Sequence, residues 1–144
     1  MIESGTKKRT IKKQNHLVFD KYDLYTKAVQ SPEGDVEFIR DTYKEIKGRV
    51  PKTLREDFCG TFALSSEWVK LHKQNEAYGV DLDPEPMEYG RGRYFKKLSA
   101  DQQKRLHLVE GDVLKVQLPK VDVTVALNFS YSLFKTRDVL KSYF

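Results

Sequence analysis

The sequence predicts an α/β protein whose strands form an open, parallel sheet. From Pro51 onward, short apolar segments of strand length alternate with segments in which apolar residues recur at helical spacing. This alternation is typical of parallel strands joined by right-handed helical crossovers. The last short segment, residues 121–127, is nearly all apolar, as expected of a parallel strand covered on both faces. A chain of 144 residues corresponds to about one domain.

Two helices are predicted before the sheet. Over residues 15–30, aromatic and aliphatic side chains, Tyr25 among them, recur every three or four positions. Ser31 and Pro32 interrupt this pattern, because serine favours the N-cap of a helix and proline its first position. A second helix is therefore expected from Pro32 until Gly48.

Four strands and two further helices are predicted after Pro51. The strands cover residues 53–58, 76–81, 106–110 and 121–127. The helices cover residues 61–71 and 84–98. Asp83 precedes Pro84, which favours a helix N-terminus, whereas Gly90 and Gly92 weaken that helix by roughly 1 kcal/mol each.

Positive charge is concentrated at the N-terminus. The formal net charge is +5, and residues 1–14 hold five Lys and Arg side chains against Glu3 alone. This pattern indicates a basic, flexible tail rather than a basic folded face, so it does not favour nucleic-acid binding. The segment Gly90-Arg91-Gly92-Arg93 is likewise interpreted as a solvated helix face rather than an RNA-binding segment.

Membrane insertion and export have no signal in the sequence. No segment approaches the roughly 18 consecutive apolar residues of a membrane span, and the N-terminus has no apolar signal segment. Cys59 is the only cysteine, and the three His are too scattered to predict a metal site. We therefore expect a cytoplasmic protein with no membrane partner and no metal.

Small and polar residues follow each predicted strand, where parallel α/β sheets bind their ligands. They are residues 56–61 after the first strand, Asp81 after the second, Asp112 after the third and Asn128 after the fourth. Asp81 follows Gly60 by 21 positions. An acid about 20 residues beyond a strand–glycine–helix turn suits a ribose, because a carboxylate accepts from both hydroxyls.

These residues resemble the motifs of class I S-adenosylmethionine-dependent methyltransferases. The residues that match the first motif are Glu56, Cys59, Gly60 and Thr61. The resemblance continues at Asp81 and Asp112 and covers about residues 51–135. It implies a partial Rossmann-like methyltransferase fold with about four of the family's usual seven strands, preceded by a helical cap over the cofactor.

The resemblance also implies S-adenosylmethionine as the cofactor. It places Asp81 on the ribose hydroxyls, Asp112 facing the adenine amino group and Asn128 beside the sulfonium. The expected cofactor-binding residues are Glu56, Phe58, Cys59, Gly60, Thr61, Asp81, Leu82, Asp112, Val113, Asn128 and Tyr25. Glu56 and Asp57 favour this cofactor over a dinucleotide, because two carboxylates repel a pyrophosphate and tolerate a cation.

Two positions depart from the family pattern. Phe58 and Phe62 stand where the family usually has glycine. We expect Phe58 to narrow the space beside the methionine moiety, and Phe62 to change how the next helix lies on its strand.

The expected function is methyl transfer to an acceptor, small or macromolecular, for which the sequence has no signal. No catalytic residue is predicted, because orienting the reactants can be sufficient. The alternatives are a non-catalytic cofactor-fold fragment or binding module, and a basic-tailed nucleic-acid-binding protein. At the site, the alternative role of Asp81 is a helix cap and that of Asp112 is an ordinary turn residue.

Three segments are predicted. They are a basic tail over residues 1–14, a helical cap over residues 15–50 and a truncated cofactor-binding domain over residues 51–144. The fourth strand is central in the family's sheet, so its apolar edge should need cover. We expect either self-association through this strand or cover by further chain.

Overall fold

A computed structural model describes residues 20–22, 31–127 and 135–144. Its helices are α1 (Pro32–Lys47), α2 (Ala63–Leu71), α3 (Pro84–Arg93), α4 (Ala100–Lys104) and α5 (Arg137–Tyr143). Its strands are β1 (Thr53–Asp57), β2 (Glu76–Asp81), β3 (Leu106–Glu110) and β4 (Val123–Ala126). A short 3₁₀ turn, Phe95–Lys97, follows α3.

The four strands form one parallel sheet in the order β3-β2-β1-β4. The predicted α/β fold class is therefore confirmed. β2 and β3 have the predicted bounds, whereas β4 is shorter than the predicted 121–127. Most of the predicted helix 15–30 lies outside the described residues, and Lys21 and Tyr22 within it are helical.

Left-handed backbone shortens two predicted elements. β1 ends at Asp57 because Phe58 has φ 57°, and α2 begins at Ala63 because Phe62 has φ 49°. The predicted helix 84–98 is also wrong in its second half. α3 ends at Arg93, and α4 follows behind a capping box formed by Ser99 and Gln102.

The two faces of the sheet differ in polarity. On the front face, side chains such as Leu54 and Ala77 are fully buried in a core that includes Trp68 of α2. α2 packs against all three of the strands β1, β2 and β3, and α1 packs against α2. The back face instead carries polar side chains, including Arg55 and its register partners Tyr78 and Thr124. The expectation that β4 is covered on both faces is therefore wrong, because Thr124 is exposed.

Among the described residues, no helix combines the length and the apolar character that crossing a membrane requires.

Candidate cofactor site

The turn between β1 and α2 contains three left-handed residues, Phe58, Gly60 and Phe62. A left-handed conformation costs a non-glycine residue roughly 1–2 kcal/mol. The Phe62 side chain is fully buried, and burying a phenylalanine stabilises by roughly 1.5–3 kcal/mol, which offsets that strain. Phe58 is half-buried, and its ring lies 6.0 Å from that of Tyr143, measured between ring centroids.

Gly90 of α3 makes the closest approach to this turn. A Cβ at Gly90 would lie 2.2 Å from the Thr61 carbonyl oxygen and 2.7 Å from the Phe62 ring. The interpretation of residues 90–93 as a solvated face is therefore wrong at Gly90, which is buried. At Gly92, by contrast, a Cβ would meet open space. Because Gly90 has no side chain, α3 leaves room for the Phe62 ring.

Glu56 is buried beneath the turn, with 4% of the residue exposed. Its Oε2 accepts hydrogen bonds from the Ser65 backbone N–H at 3.0 Å and from Ser65 Oγ at 2.5 Å. Burial raises the pKa of Glu56 to about 7, although the Ser65 bonds oppose this shift. Sequence reasoning missed Ser65, since a serine in the first turn of a helix has many roles.

Cys59 holds the turn close to β2. Its backbone N–H donates to the Val80 carbonyl at 2.9 Å, and a Cβ at Gly79 would lie 3.2 Å from Cys59 Sγ. Burial raises the pKa of the Cys59 thiol, which keeps it protonated and unreactive. Its contribution to the turn is therefore its small size.

Asp81 joins the turn to the end of β2. Its Oδ2 accepts from the Gly60 backbone N–H at 2.8 Å, and its Oδ1 accepts from the Asp83 N–H at 3.0 Å. Asp83 is the N-cap of α3, accepting from the Glu85 N–H at 3.0 Å. Asp81 is therefore not the cap. Leu82, between the two acids, is 67% exposed.

The loop after β3 places Asp112 and Val113. Asp112 Oδ1 accepts from the Leu114 N–H at 2.9 Å, so this carboxylate does stabilise its own turn. Val113 is mostly buried, and its carbonyl accepts from the Arg55 guanidinium at 2.9 Å. The remaining two predicted residues, Asn128 and Tyr25, lie outside the described residues.

Residues 20–22 contact α3 directly beyond the Asp81 loop. Tyr22 donates to Glu85 Oε1 at 2.8 Å, and the rings of Tyr22 and Tyr89 lie 4.6 Å apart. Tyr89 donates to Asp20 at 2.5 Å. Burial and this bond raise the pKa of Tyr89 to about 12. This part of the predicted cap therefore packs against the helix that follows the Asp81 loop.

A separate cavity of about 480 Å³ lies on the back face of the sheet. Its polar lining includes Arg55, Asp57 and Tyr143. Arg55 Nε donates to Asp57 at 2.6 Å, and the Tyr143 hydroxyl donates to the other Asp57 oxygen at 2.8 Å. Glu56, Gly60 and Asp81 do not line this cavity. We place the candidate site at the turn instead, because its acids and exposed Leu82 lie there.

The described residues contain no group of three or more His, Cys, Asp and Glu side chains suited to a metal ion.

The fold matches solved methyltransferases at low sequence identity. The S-adenosylmethionine-bound amino pentose methyltransferase CalS10 of Micromonospora echinaspora superposes with a TM-score of 0.66 at 17% identity, over 90% of this chain and 51% of that one. DesVI of Streptomyces venezuelae gives 0.67 at 19% identity, over 85% and 48%. The sugar N-methyltransferase KedS8 of a Streptoalloteichus species gives 0.62 at 18% identity, over 98% and 52%.

These matches confirm the resemblance to class I methyltransferases at the level of the fold. The chain spans about half the length of these structures. No protein-family model matches the chain, and no curated protein matches its sequence.

Proposed function

We propose that this chain carries the cofactor-binding half of an S-adenosylmethionine-dependent methyltransferase. The observation that carries the proposal is the hydrogen bond between Gly60 N–H and Asp81, which joins the glycine turn to the end of β2. Solved structures of the same fold hold S-adenosylmethionine, S-adenosylhomocysteine or sinefungin, which supports this choice of cofactor.

The residues present fit this cofactor in three respects. Each oxygen of a carboxylate has about two acceptor positions, so Asp81 retains capacity for ribose hydroxyls beside its two backbone bonds. The exposed Leu82 offers an apolar surface for the flat adenine ring. The acids Glu56 and Asp81 favour a positively charged ligand over a phosphate.

When bound, the cofactor would supply an activated methyl group for transfer to an acceptor nucleophile, with the thioether S-adenosylhomocysteine as the leaving product. The chain's own contribution is to bind and orient the cofactor, because alignment of the reacting atoms supplies much of the rate. We further propose that the first part of the cap predicted over residues 15–50 covers this site, supported by the contacts of Tyr22 with α3.

Calorimetric titration of S-adenosylmethionine into the full chain tests the proposal. We expect Asp81→Asn to weaken binding by roughly 10- to 150-fold, the loss of about 1.5–3 kcal/mol for a charged hydrogen-bond acceptor. Asp101→Asn is the matched control, because Asp101 lies exposed on α4, outside the proposed cap, and pairs with Arg105. Binding by Asp81→Asn within about threefold of the parent would remove Asp81 from the site.

A further inference from the structure

Glu56 is a buried acid without a paired cation. Within the residues that the structure describes, no Lys, Arg or His forms an ion pair with it. Its two hydrogen bonds both come from Ser65 and both reach the same oxygen, Oε2. An ionised carboxylate that is removed from water and left unpaired is strongly disfavoured, so the acid holds its proton to a higher pH.

The acidic groups near Glu56 add negative charge. Asp81 and Asp57 both raise its pKa electrostatically, after burial, which is the largest cause. Asp57 is compensated by the Arg55 guanidinium at 2.6 Å. The two described bonds to the Asp81 carboxylate come from backbone N–H groups, which carry no net charge.

The other neighbours of Glu56 among the described residues supply no charge. Cys59 in the turn keeps its proton, because burial raises its pKa. α2 contributes Ser65, and the register partner of Glu56 on β4 is Val125. No positive charge among the described residues therefore balances an ionised Glu56, and either a proton or a cationic ligand can supply it.

We propose that the cationic cofactor binds here with release of the proton held by Glu56, an inference that rests on the proposed function. The O–H bond of the Glu56 carboxyl breaks and the proton passes to solvent. The resulting carboxylate keeps both bonds from Ser65, and the charge of the ligand replaces that of the proton. Cofactor affinity is then coupled to pH through this one residue.

The linkage has a definite sign and size. A proton must leave before the cation binds well, so affinity rises with pH until Glu56 is ionised in the free protein. With ionisation near neutrality, affinity should rise about tenfold between pH 6 and pH 8. At pH 6, about 0.9 proton should be released for each cofactor bound, and almost none at pH 8.5.

Calorimetry of the full chain with S-adenosylmethionine, in two buffers of different ionisation enthalpy, counts the released protons. Glu56→Gln is the control, because its amide oxygen still accepts from Ser65 while the titrating proton is gone. Ionisation of the cofactor's own amino group is common to both proteins and cancels between them. In the parent chain we expect proton release on binding and a tenfold rise in cofactor affinity between pH 6 and pH 8. In Glu56→Gln we expect neither, beyond what the cofactor's amino group contributes to both proteins.

The outcomes separate this inference from the function on which it rests. Tight binding by the parent with no proton release at pH 6 overturns the inference and leaves cofactor binding intact. Proton release at pH 6 is measured on the parent chain alone. Its absence would therefore overturn the inference even if Glu56→Gln does not fold. Failure of the parent to bind S-adenosylmethionine at pH 6 and pH 8 contradicts the proposed function and, with it, the inference.

Discussion

The absence of a side chain at Gly90 allows α3 to pack closely against the glycine turn. Gly90 lies against the Thr61 carbonyl, a backbone atom that cannot rotate away as a side chain would. α3 also carries the Asp83 cap and therefore fixes the loop that holds Asp81. The close contact at Gly90 thus bears both on stability and on the position of the proposed ribose ligand.

Two alanine substitutions on α3 distinguish the effect of the close contact at Gly90 on stability from the general effect of replacing a helical glycine. We expect Gly90→Ala to lower the free energy of unfolding by roughly 1–3 kcal/mol, because its methyl group overpacks the turn. Gly92→Ala is the matched control and should raise it by up to about 1 kcal/mol, because alanine favours a helix and the space is open. Urea unfolding of both variants measures this. Equal effects of the two substitutions would show that the contact with Thr61 is unimportant.

Residues in and around the candidate site differ in how readily the sequence predicts their contacts. Gly60 and Asp81 were predictable, because the strand–glycine–helix turn and the following acid have a characteristic spacing, and the structure joins them. The left-handed Phe62 was not, because its conformation opposes local propensity and depends on burial against Gly90. Tyr143 was also missed, because its bond to Asp57 joins residues 86 positions apart.

At the scale of elements, local signals predicted the sheet well and the segment after α3 poorly. β2 and β3 are bounded by turn residues and matched their predicted limits. α4 was missed although Ser99 and Gln102 form a capping box that the sequence already contained. β4 is linked to the start of β1 by the Asp122 carboxylate in addition to its strand pairing.

Asp122 links β4 to β1 through both carboxylate oxygens. They accept from Arg49 at 2.8 Å and from the backbone N–H groups of Lys52 and Thr53 at 2.8 and 3.1 Å. Burial acts to raise the pKa of Asp122, but these three donors outweigh it and lower the pKa to about 2. The ionised carboxylate is therefore the form that holds the strands together.

This linkage predicts how stability depends on pH. A folded-state pKa below the unfolded value of about 3.9 stabilises the fold above that value, and the contribution is lost as pH falls toward 2. We expect Asp122→Asn to lower the free energy of unfolding by about 2 kcal/mol at pH 7 and by about half as much at pH 3. Denaturant titrations of both proteins between pH 3 and pH 7 test this prediction. A difference in the free energy of unfolding that does not change with pH would contradict it.

At the scale of the molecule, β4 forms one edge of the sheet built by the described strands. Val123 and Val125 on its front face pack against the core, while Thr124 on its back face is exposed. An edge strand of this kind presents unpaired backbone groups beside apolar side chains, which favours pairing with another chain. The solved structures of this fold are about twice as long as this chain.

We expect the 144-residue chain to self-associate at micromolar concentration, as measured by light scattering. Thr124→Lys should reduce association, because a charged side chain on an edge strand opposes pairing. Gln74→Lys adds the same charge at an exposed loop position and should leave association unchanged. A stable monomer of the parent chain at these concentrations would show that the β4 edge is already covered.

A crystal structure of the chain with S-adenosylhomocysteine tests the proposed cofactor site most directly. We predict that the ligand lies across the ends of β1 and β2, with its ribose hydroxyls within hydrogen-bonding distance of Asp81 and its adenine against Leu82. Density for the ligand in the back-face cavity between Arg55 and Tyr143, or no bound ligand in crystals soaked at millimolar concentration, would contradict the assignment of the glycine turn as the cofactor site.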